Sequence, residues 1–244
     1  MGRPLVGDDV AFVLHSVPYK ETSLIVELFC RDHGRLPVVA KGAKRPHSAL
    51  RAVLVSFQPL RVRFTGRAEV RTLTAAEWCG GLMAPDGRAL FSAYYLNELL
   101  MCGLGREDSH PALFDLYLCA VAALSNGEDM TVCVRRFEVG LLQELGYGLN
   151  WEHDLCGHPI REDWRYCWVH EQGWTPTNGL NVSQLQSPAV DQVVAGAFIL
   201  EVQRGEISRG AASALKPVTR KLLLGHVAPN GLMSRAWMEQ LIRA

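Results

Sequence analysis

The sequence lacks three features that would each point to a particular class of protein. It has no net charge, because 25 basic residues balance 25 acidic ones among its 244 residues. It has no apolar run near the ~20 residues that span a bilayer, so no membrane partner is expected. It also has no low-complexity tract, and at 48% hydrophobic content it can bury a core. These absences exclude disordered and disulfide-stapled miniature proteins, and the length predicts one large domain or two small ones.

Disulfide chemistry is not expected either. The seven cysteines are odd in number and scattered along the chain, and the first residues lack the basic-then-apolar pattern of a secretion signal. We therefore expect reduced thiols and a cytoplasmic protein.

The common catalytic motifs are missing. The sequence has no phosphate-binding loop of the Gly-x4-Gly-Lys-Ser/Thr type, no dinucleotide fingerprint and no Gly-x-Ser-x-Gly elbow. Acid pairs such as Glu107-Asp108 and Glu128-Asp129 fall at predicted helix starts, where a carboxylate complements the helix dipole. We expect that the chain is not an enzyme.

Although the total charge is zero, the two parts of the chain have net charges of opposite sign. Residues 1–80 carry 12 basic and 7 acidic side chains, a net charge of +5, which leaves 13 against 18, or −5, for the rest. Such asymmetry suggests that the first part binds a polyanion and that the second part does something else.

The hydrophobic periodicity predicts an α+β fold. Five short strands are expected before residue 80, at 10–17, 23–30, 35–40, 53–64 and 68–78, and five strands in so short a stretch suggest a small closed barrel. Helical spacing follows the two glycines at 80–81, and residues 190–201 are also expected to be helical. Residues 108–109 and 128–129 are predicted N-terminal caps, Gly146 is expected to end the third helix, and Pro217 is expected to kink or break a later one. We thus predict a domain at 1–80 and a helical domain at 81–244, with a loop and β-hairpin inserted at 150–178.

A basic hairpin is predicted at residues 60–72. Side-chain parity favours a three-residue loop, which pairs Val62 with Val70 on the inner face. The outer face then has Arg61 opposite Arg71 and Arg63 opposite Glu69. A basic loop at 41–51, interrupted by Gly42 and Pro46, adds further cations. Clustered cations bind phosphates without sequence preference, although a solvated loop with no function would have the same composition. The residues predicted to bind DNA are Arg35, Lys41, Lys44, Arg45, Arg51, Arg61, Arg63, Arg67 and Arg71.

Aromatic residues in this half could stack on bases. Most of them, including Trp78, alternate with polar neighbours as core residues do, so we expect them to be buried. Tyr19 is the exception, because it follows a proline in a predicted turn.

Several short segments resemble one protein family in their order and spacing. They include Ala11–Ser16, Phe57–Leu60 and Glu69–Leu73 in the first part, and Tyr95–Leu99, Arg135–Glu138 and Leu145–Asn150 in the second. Together they are similar to the RecO family of bacterial DNA recombination mediators. The resemblance implies an oligonucleotide-binding (OB) barrel and a non-enzymatic protein of the nucleoid. Such proteins bind and anneal single strands, interact with single-stranded DNA-binding protein (SSB), and with RecR help load RecA.

A cluster of potential metal ligands occupies residues 153–170. His153 and Cys156 form one x2-spaced pair, and Cys167 and His170 form another. Many RecO-like proteins carry four cysteines here, so the region resembles a degenerate zinc finger. Cys167 and His170 would point to opposite faces of a strand, which argues against a shared ion. We favour no metal or other cofactor, with zinc as the alternative.

The third predicted helix carries a candidate peptide surface. Val139 lies four residues after Arg135, and a guanidinium beside an apolar side chain can hold a hydrophobic residue with a free carboxylate. The RecO resemblance implies that the SSB tail binds the helical domain. Arg135, Arg136, Val139 and Arg220 are therefore the predicted tail-binding residues. The alternative for either Arg135 or Arg136 is an internal ion pair with an acid such as Glu138 or Glu98.

Two other classes of function stay open from the sequence. One is a zinc-dependent nucleic-acid-binding enzyme or regulator that uses the 153–170 cluster. The other is a structural adaptor whose basic half contacts no DNA.

Overall fold

The computed structural model describes residues 6–169, 172–178 and 190–234. The chain divides into two compact units. The first comprises Met1–Gly127 with Leu232–Ala244, and the second comprises Glu128–Gly231. The domain boundary predicted at residue 80 falls inside the first unit, at the end of its barrel. None of the helices in the described segments has the length and apolarity needed to cross a bilayer.

The first unit begins with a closed five-stranded barrel, which confirms the predicted α+β fold with an OB-type barrel. Its strands are β1 (Val6–Tyr19), β2 (Ser23–Cys30), β3 (Gly34–Ala40), β4 (Leu60–Thr65) and β5 (Arg71–Trp78). They close in the order β1-β2-β3-β5-β4, with only the short β3–β5 pairing parallel. A short helix, α1 (Ala49–Val53), lies between β3 and β4.

Alternation of apolar and polar residues explains the barrel core. In β4, Leu60, Val62 and Phe64 are fully buried, whereas Arg61 and Arg63 between them are exposed. Burying each large apolar side chain contributes about 1.5–3 kcal/mol, so this strand is held firmly in one orientation. Leu50 and Val53 of α1 pack against the same core.

Two predictions for the barrel were wrong. The fourth strand begins at Leu60 rather than at residue 53, because α1 ends at Val53 and an irregular connection follows at 54–59. The β4–β5 register also differs, since Arg61 lies opposite Glu77 and Arg63 lies opposite Ala75. Val70, which the parity argument placed inside, is 37% exposed in a longer connection. A bulge after Arg63 then lets Phe64 pair with Leu73, an irregularity that parity counting does not include.

Two helices, α2 (Gly87–Gly103) and α3 (Pro111–Ser125), cover part of the barrel. The rings of Phe12 and Phe29 lie 5.4 Å from that of Phe114, so α3 packs on the outside of β1 and β2. The Tyr117 hydroxyl donates to the Asn97 side-chain oxygen (2.5 Å), and the Asn97 amide donates to a β1 carbonyl (2.9 Å).

Two further contacts involve the start of α3 and the middle of α2. The predicted cap of α3 by the residues at 108–109 is wrong, because His110 is the N-cap residue and Ser109 donates to the carbonyl of Arg31 instead. The Glu98 carboxylate of α2 accepts the backbone amides of Met233 (2.6 Å) and Ser234 (2.9 Å). A late segment of the chain therefore returns to the first unit.

The second unit combines helices with a small sheet. Its elements are α4 (Met130–Glu144), β6 (Arg165–Val169), β7 (Gly173–Pro176), β8 (Val190–Ala195), α5 (Gly196–Gln203) and α6 (Arg209–Leu222), followed by a π-helical turn at Leu223–Val227. Asp129 caps α4 by accepting the amides of Thr131 and Val132, as predicted. Gly146, with a φ of +81°, follows the end of α4, also as predicted. Helix α6 continues through Pro217 without the predicted break.

The predicted hairpin is present as β6 and β7, and a third strand joins it. β8 pairs antiparallel with β6, with Val193 opposite Cys167 and Val194 opposite Tyr166. The prediction of a helix from residue 190 was wrong for this segment, and α5 begins only at Gly196. The β-branched valines favour a strand once a partner edge is available, and that edge is distant in sequence.

Candidate nucleic-acid interface

One group of the predicted DNA-binding cations lies where β3 ends. Lys41, Lys44 and Arg45 are exposed there, and the Lys44 amide donates to the carbonyl of Thr22 in the β1–β2 turn (2.9 Å). The loop is thus folded back onto that turn. Lys20 belongs to the same turn, and its ammonium group lies 5.3 Å from the centre of the Tyr19 ring.

The two β4 arginines lie nearby on the outer surface of the barrel. Strand β5 separates β3 from β4, and Thr74 of β5 donates to the carbonyl of Arg63 (3.0 Å). Because strands are spaced about 4.8 Å apart, the end of β3 lies roughly 10 Å from Arg63. Within the described residues, neither Arg61 nor Arg63 forms an ion pair within 4.0 Å. Arg51 is exposed on α1, which packs against β5.

These side chains define a surface that we call the basic flank. Its members are Lys20, Lys41, Lys44, Arg45, Arg51, Arg61 and Arg63. All except Lys20 were predicted from the sequence. Lys20 was missed because it is a single lysine followed by Glu21, and no other cation lies near it in sequence.

The other three predicted cations lie outside the basic flank, and one of them, Arg35, is at the beginning of β3. Arg71 is only 9% exposed, with its guanidinium 2.8 Å from the Glu107 carboxylate and 5.3 Å from the centre of the Phe64 ring. Arg35 donates to the carbonyl of Met101 (2.8 Å). These contacts correct the predicted set, because Arg35 and Arg71 serve the protein's own packing. Arg67 is exposed in the β4–β5 loop.

The loop at residues 104–110 supplies the acids and cations around those arginines. Arg106 forms ion pairs with Glu69 and with Glu27, the latter at 3.4 Å. The Glu107 amide donates to the carbonyl of Arg35 (2.9 Å), and Glu107 itself adopts a φ of +58°, which is unusual for a residue with a side chain. This end of the barrel is therefore closed by ion pairs, whereas the basic flank is open.

In the second unit, too, the residues of the predicted peptide surface differ in their exposure. Arg135 is 3% exposed and donates to the carbonyl of Ala212 (3.0 Å) and to Glu138 and Thr219. It is therefore an internal structural residue, which was the alternative stated for it. Arg136 and Arg220 are exposed, each next in sequence to a member of this buried cluster, and Val139 is half-buried.

The predicted zinc ligands are not gathered into one group in the described part of the chain. Cys167 is buried and its thiol contacts the carbonyl of Thr175 (3.5 Å), while burial raises the pKa of that thiol and so disfavours the thiolate that zinc requires. His170 lies outside the described residues. Cys156 instead lies with Asp154 and His158, whose potential ligand atoms are within 4.8 Å of one another. The Asp154 carboxylate already accepts the amides of Cys156 and His158, both at 2.9 Å.

Trp78 was expected in the core but is 56% exposed. It is the last residue of β5 and lies directly opposite Leu60, which is fully buried. Strand alternation predicts the face to which a side chain points, but not where the core ends.

The strand order, with a short helix between the third and fourth strands, defines an OB-type barrel. Residues 8–82 match the family described as "Recombination protein O N terminal", and residues 84–236 match "Recombination protein O C terminal". A protein of Ralstonia nicotianae named "DNA repair protein RecO" is 43% identical over 231 residues, which cover 94% of this chain and 83% of the relative. The protein of the same name from Azoarcus sp. is 44% identical over 234 residues, which cover 95% of each chain.

The chain therefore belongs to the RecO family of DNA repair and recombination proteins. Its broad role is in DNA repair.

Proposed function

We propose that the chain is a non-enzymatic recombination mediator that binds single-stranded DNA along the basic flank and anneals complementary strands. With RecR, it would help load RecA onto DNA covered by SSB. We expect it to act in the cytoplasm, at the nucleoid, because its DNA substrate lies there.

The observation that carries this proposal is the exposure of the basic flank. Lys41, Lys44 and Arg45 form one cluster, and Arg61 and Arg63 extend it across two strands of the barrel. Exposed cations can neutralise phosphates and release their condensed counterions, which gives affinity without sequence preference. The end of the barrel that is closed by ion pairs does not offer free cations for phosphates, since Arg71 is already neutralised by Glu107.

Annealing follows from the same electrostatics. Two complementary strands repel each other through their phosphates, and this repulsion slows their encounter. A protein surface that neutralises one strand lowers the repulsion felt by the second, while bases on the far side of the bound strand stay available for pairing.

The second unit offers a surface for the acidic, Phe-terminated tail of SSB. Arg136 and Arg220 are exposed cations that could hold the terminal carboxylate, and half-buried Val139 adds an apolar contact on α4. Arg135 is not part of this proposal, because its guanidinium is buried against Glu138.

The test compares a basic-flank variant with a control of equal charge change. Lys44→Ala, Arg45→Ala, Arg61→Ala and Arg63→Ala are combined in the first. Arg88→Ala, Arg165→Ala, Arg204→Ala and Lys216→Ala, all exposed positions that were not predicted to bind DNA or the SSB tail, are combined in the second. Binding of a fluorescent oligo-dT is measured by anisotropy over a salt series, together with the rate at which complementary oligonucleotides anneal.

We expect the flank variant to lose affinity and to show a shallower dependence on salt. Each phosphate contact contributes about 0.7 to the slope of log affinity against log salt, so four lost contacts reduce the slope by about 3. Annealing should slow in parallel, while the control stays near wild type. Equal binding by the two variants, or a wild type that binds no strand, would refute the proposal and favour the adaptor.

A further inference from the structure

The outer face of the barrel carries a row of β-branched side chains on three neighbouring strands. Val17 of β1 pairs with Ile25 of β2, and Ile25 pairs with Val39 of β3. Residues paired in register lie on the same face of a sheet, and the next residue on β2, Val26, and the preceding one on β3, Val38, are fully buried in the core. Val17, Ile25 and Val39 therefore point outward, and we call them the outer row.

The outer row is accessible to a bound molecule. Val17 is 40% exposed, and Ile25 and Val39 are partly exposed. Phe29, four residues further along the same face of β2, is instead fully buried, with its ring 5.4 Å from that of Phe114 in α3. Neighbouring strands lie about 4.8 Å apart, so the outer row extends roughly 10 Å across the barrel. It forms an apolar strip outside the part of this face that α3 covers.

An aromatic ring lies beside this strip. Tyr19 lies two residues after Val17 in β1, and it pairs with Ser23, which lies two residues before Ile25 in β2. Because side chains alternate along a strand, Tyr19 is on the same face as the outer row. Tyr19 is 36% exposed, and the ammonium group of Lys20 lies 5.3 Å from the centre of its ring. Among the described residues no aromatic ring lies against it, so the exposed part of the ring is open to a ligand.

Cations border the same strip. Lys41 lies two residues after Val39, just beyond the end of β3. The Lys44 amide donates to a carbonyl of the β1–β2 turn (2.9 Å), and that turn also contains Lys20. The three lysines are exposed, and none of them forms an ion pair within 4.0 Å in the described segments. Glu21 is the one acid of the turn, so positive charge predominates here.

This combination indicates which molecule fits the face. β-branched residues are common in strands of any function, so the outer row alone identifies no occupant. An apolar strip with an aromatic ring and cations beside it is complementary to single-stranded nucleic acid, which presents flat base faces and one phosphate in every nucleotide. A duplex does not offer these contacts, because its bases are paired and stacked inside the helix.

We infer that unpaired bases of a bound single strand lie on the outer row and that one of them stacks on Tyr19, while the three lysines hold the adjacent phosphates. This inference rests on the proposed function and adds base contacts to a surface that otherwise binds phosphates alone. Stacking on an aromatic ring tolerates any sequence, because every base has a flat face. The base contacts therefore favour single strands over duplex DNA without selecting a sequence.

The test uses two probes with the same number of phosphates. One is a fluorescent dT 20-mer, and the other is a 20-mer of abasic sites, which has the backbone but no bases. The row variant combines Val17→Ser with Tyr19→Ala, and a conservative variant combines Val17→Ile with Tyr19→Phe. The control combines Val55→Ser with Tyr94→Ala, because these two residues lie outside the outer row and are similarly exposed, at 40% and 43%. Thermal unfolding of each variant confirms that it is folded.

The row variant should bind the dT probe about 5- to 150-fold more weakly than wild type, the range that corresponds to the loss of one stacked base. Its affinity for the abasic probe and its salt slope for dT should not change, because the phosphate contacts remain. The conservative variant should retain most of the affinity for dT, and the control should behave as wild type.

Three results would overturn the inference. The first is equal binding of dT by the row variant and wild type, and the second is an equal loss on both probes. The third is unchanged DNA binding with a loss only of binding to an acidic, Phe-terminated peptide, which would assign this face to a protein partner. The proposed function fails separately, since it requires the wild type to bind the dT probe with a salt dependence that the basic-flank variant reduces.

Discussion

Two neighbouring arginines on one helix have opposite environments. Arg135 is buried between α4 and α6, where it contacts Glu138 and Thr219, and Thr219 in turn donates to Glu138 (2.7 Å). Arg136 is exposed because one step along a helix turns a side chain by about 100°. Burial of a charge is costly unless it is paired, so Arg135 and Glu138 depend on each other.

Replacing one member of this pair should destabilise the second unit. Arg135→Met leaves the Glu138 carboxylate buried without its cation, and we expect a loss of about 3–5 kcal/mol in the free energy of unfolding. The measurement is urea unfolding followed by tryptophan fluorescence, which reports mainly this unit because Trp151, Trp164, Trp168 and Trp174 belong to it.

Two further variants serve as controls for that measurement. Arg136→Met at the exposed position should change stability by less than about 0.5 kcal/mol. The double variant Arg135→Met with Glu138→Met should recover much of the loss, because no unpaired charge is left. A single Arg135→Met variant as stable as wild type would show that the buried pair contributes nothing.

The sequence identifies these charged residues but not their partners. Arg63 and Arg71 look alike in a basic hairpin, yet Arg63 is exposed and Arg71 is buried against Glu107. Glu107 is distant in sequence and reaches Arg71 only because the loop at 104–110 folds onto the barrel. Local patterns therefore pointed to several cations that are exposed on the barrel and failed where a long-range contact covers one, while DNA binding by the basic flank stays a prediction.

At the scale of elements, local signals were correct at both ends of α4, but they failed for the cap of α3 and for the break expected at Pro217. The Asp129 cap and the glycine after α4 were both correctly predicted, since each depends on residues within one turn. β8 and the β4–β5 register were not, because strand pairing depends on distant residues and on bulges.

The Asp129 cap provides a quantitative test at this scale. Its carboxylate accepts the Thr131 amide at 2.8 Å and the Val132 amide at 3.2 Å. Asp129→Ala removes the acceptor and should lower the free energy of unfolding by about 1 kcal/mol, whereas Asp129→Asn keeps an oxygen in place and should lose less. The matched control is Ser48→Ala, since Ser48 precedes α1 without a side-chain cap bond.

Thermal and urea unfolding of these three variants would measure the difference. A loss for Ser48→Ala as large as that for Asp129→Ala would contradict the role of the cap.

At the scale of the whole molecule, the two proposed binding surfaces belong to different compact units. The basic flank lies in the first unit, and Arg136 and Arg220 lie in the second. No residue is shared between them, so the proposal assigns DNA and the SSB tail to separate sites.

Variants of the two surfaces should therefore have separable effects. Arg136→Ala combined with Arg220→Ala should weaken binding of an acidic, Phe-terminated peptide by about 100-fold or more, since charge-assisted contacts contribute about 1.5–3 kcal/mol each. It should leave the affinity for oligo-dT unchanged. The basic-flank variant should show the opposite pattern.

Calorimetry with the peptide and anisotropy with the oligonucleotide measure these effects. A loss of peptide binding in the basic-flank variant as large as in the arginine variant would argue against separate sites.

The return of the chain to Glu98 bears on the order of events during translation. The acceptor on α2 is made early, whereas the amides of Met233 and Ser234 leave the ribosome more than a hundred residues later. All residues of the intervening unit have been synthesised by then. The folding of the barrel-bearing unit can thus be completed last, although its synthesis begins first. A chain released before residue 233 is made would lack the two amides that donate hydrogen bonds to the Glu98 carboxylate.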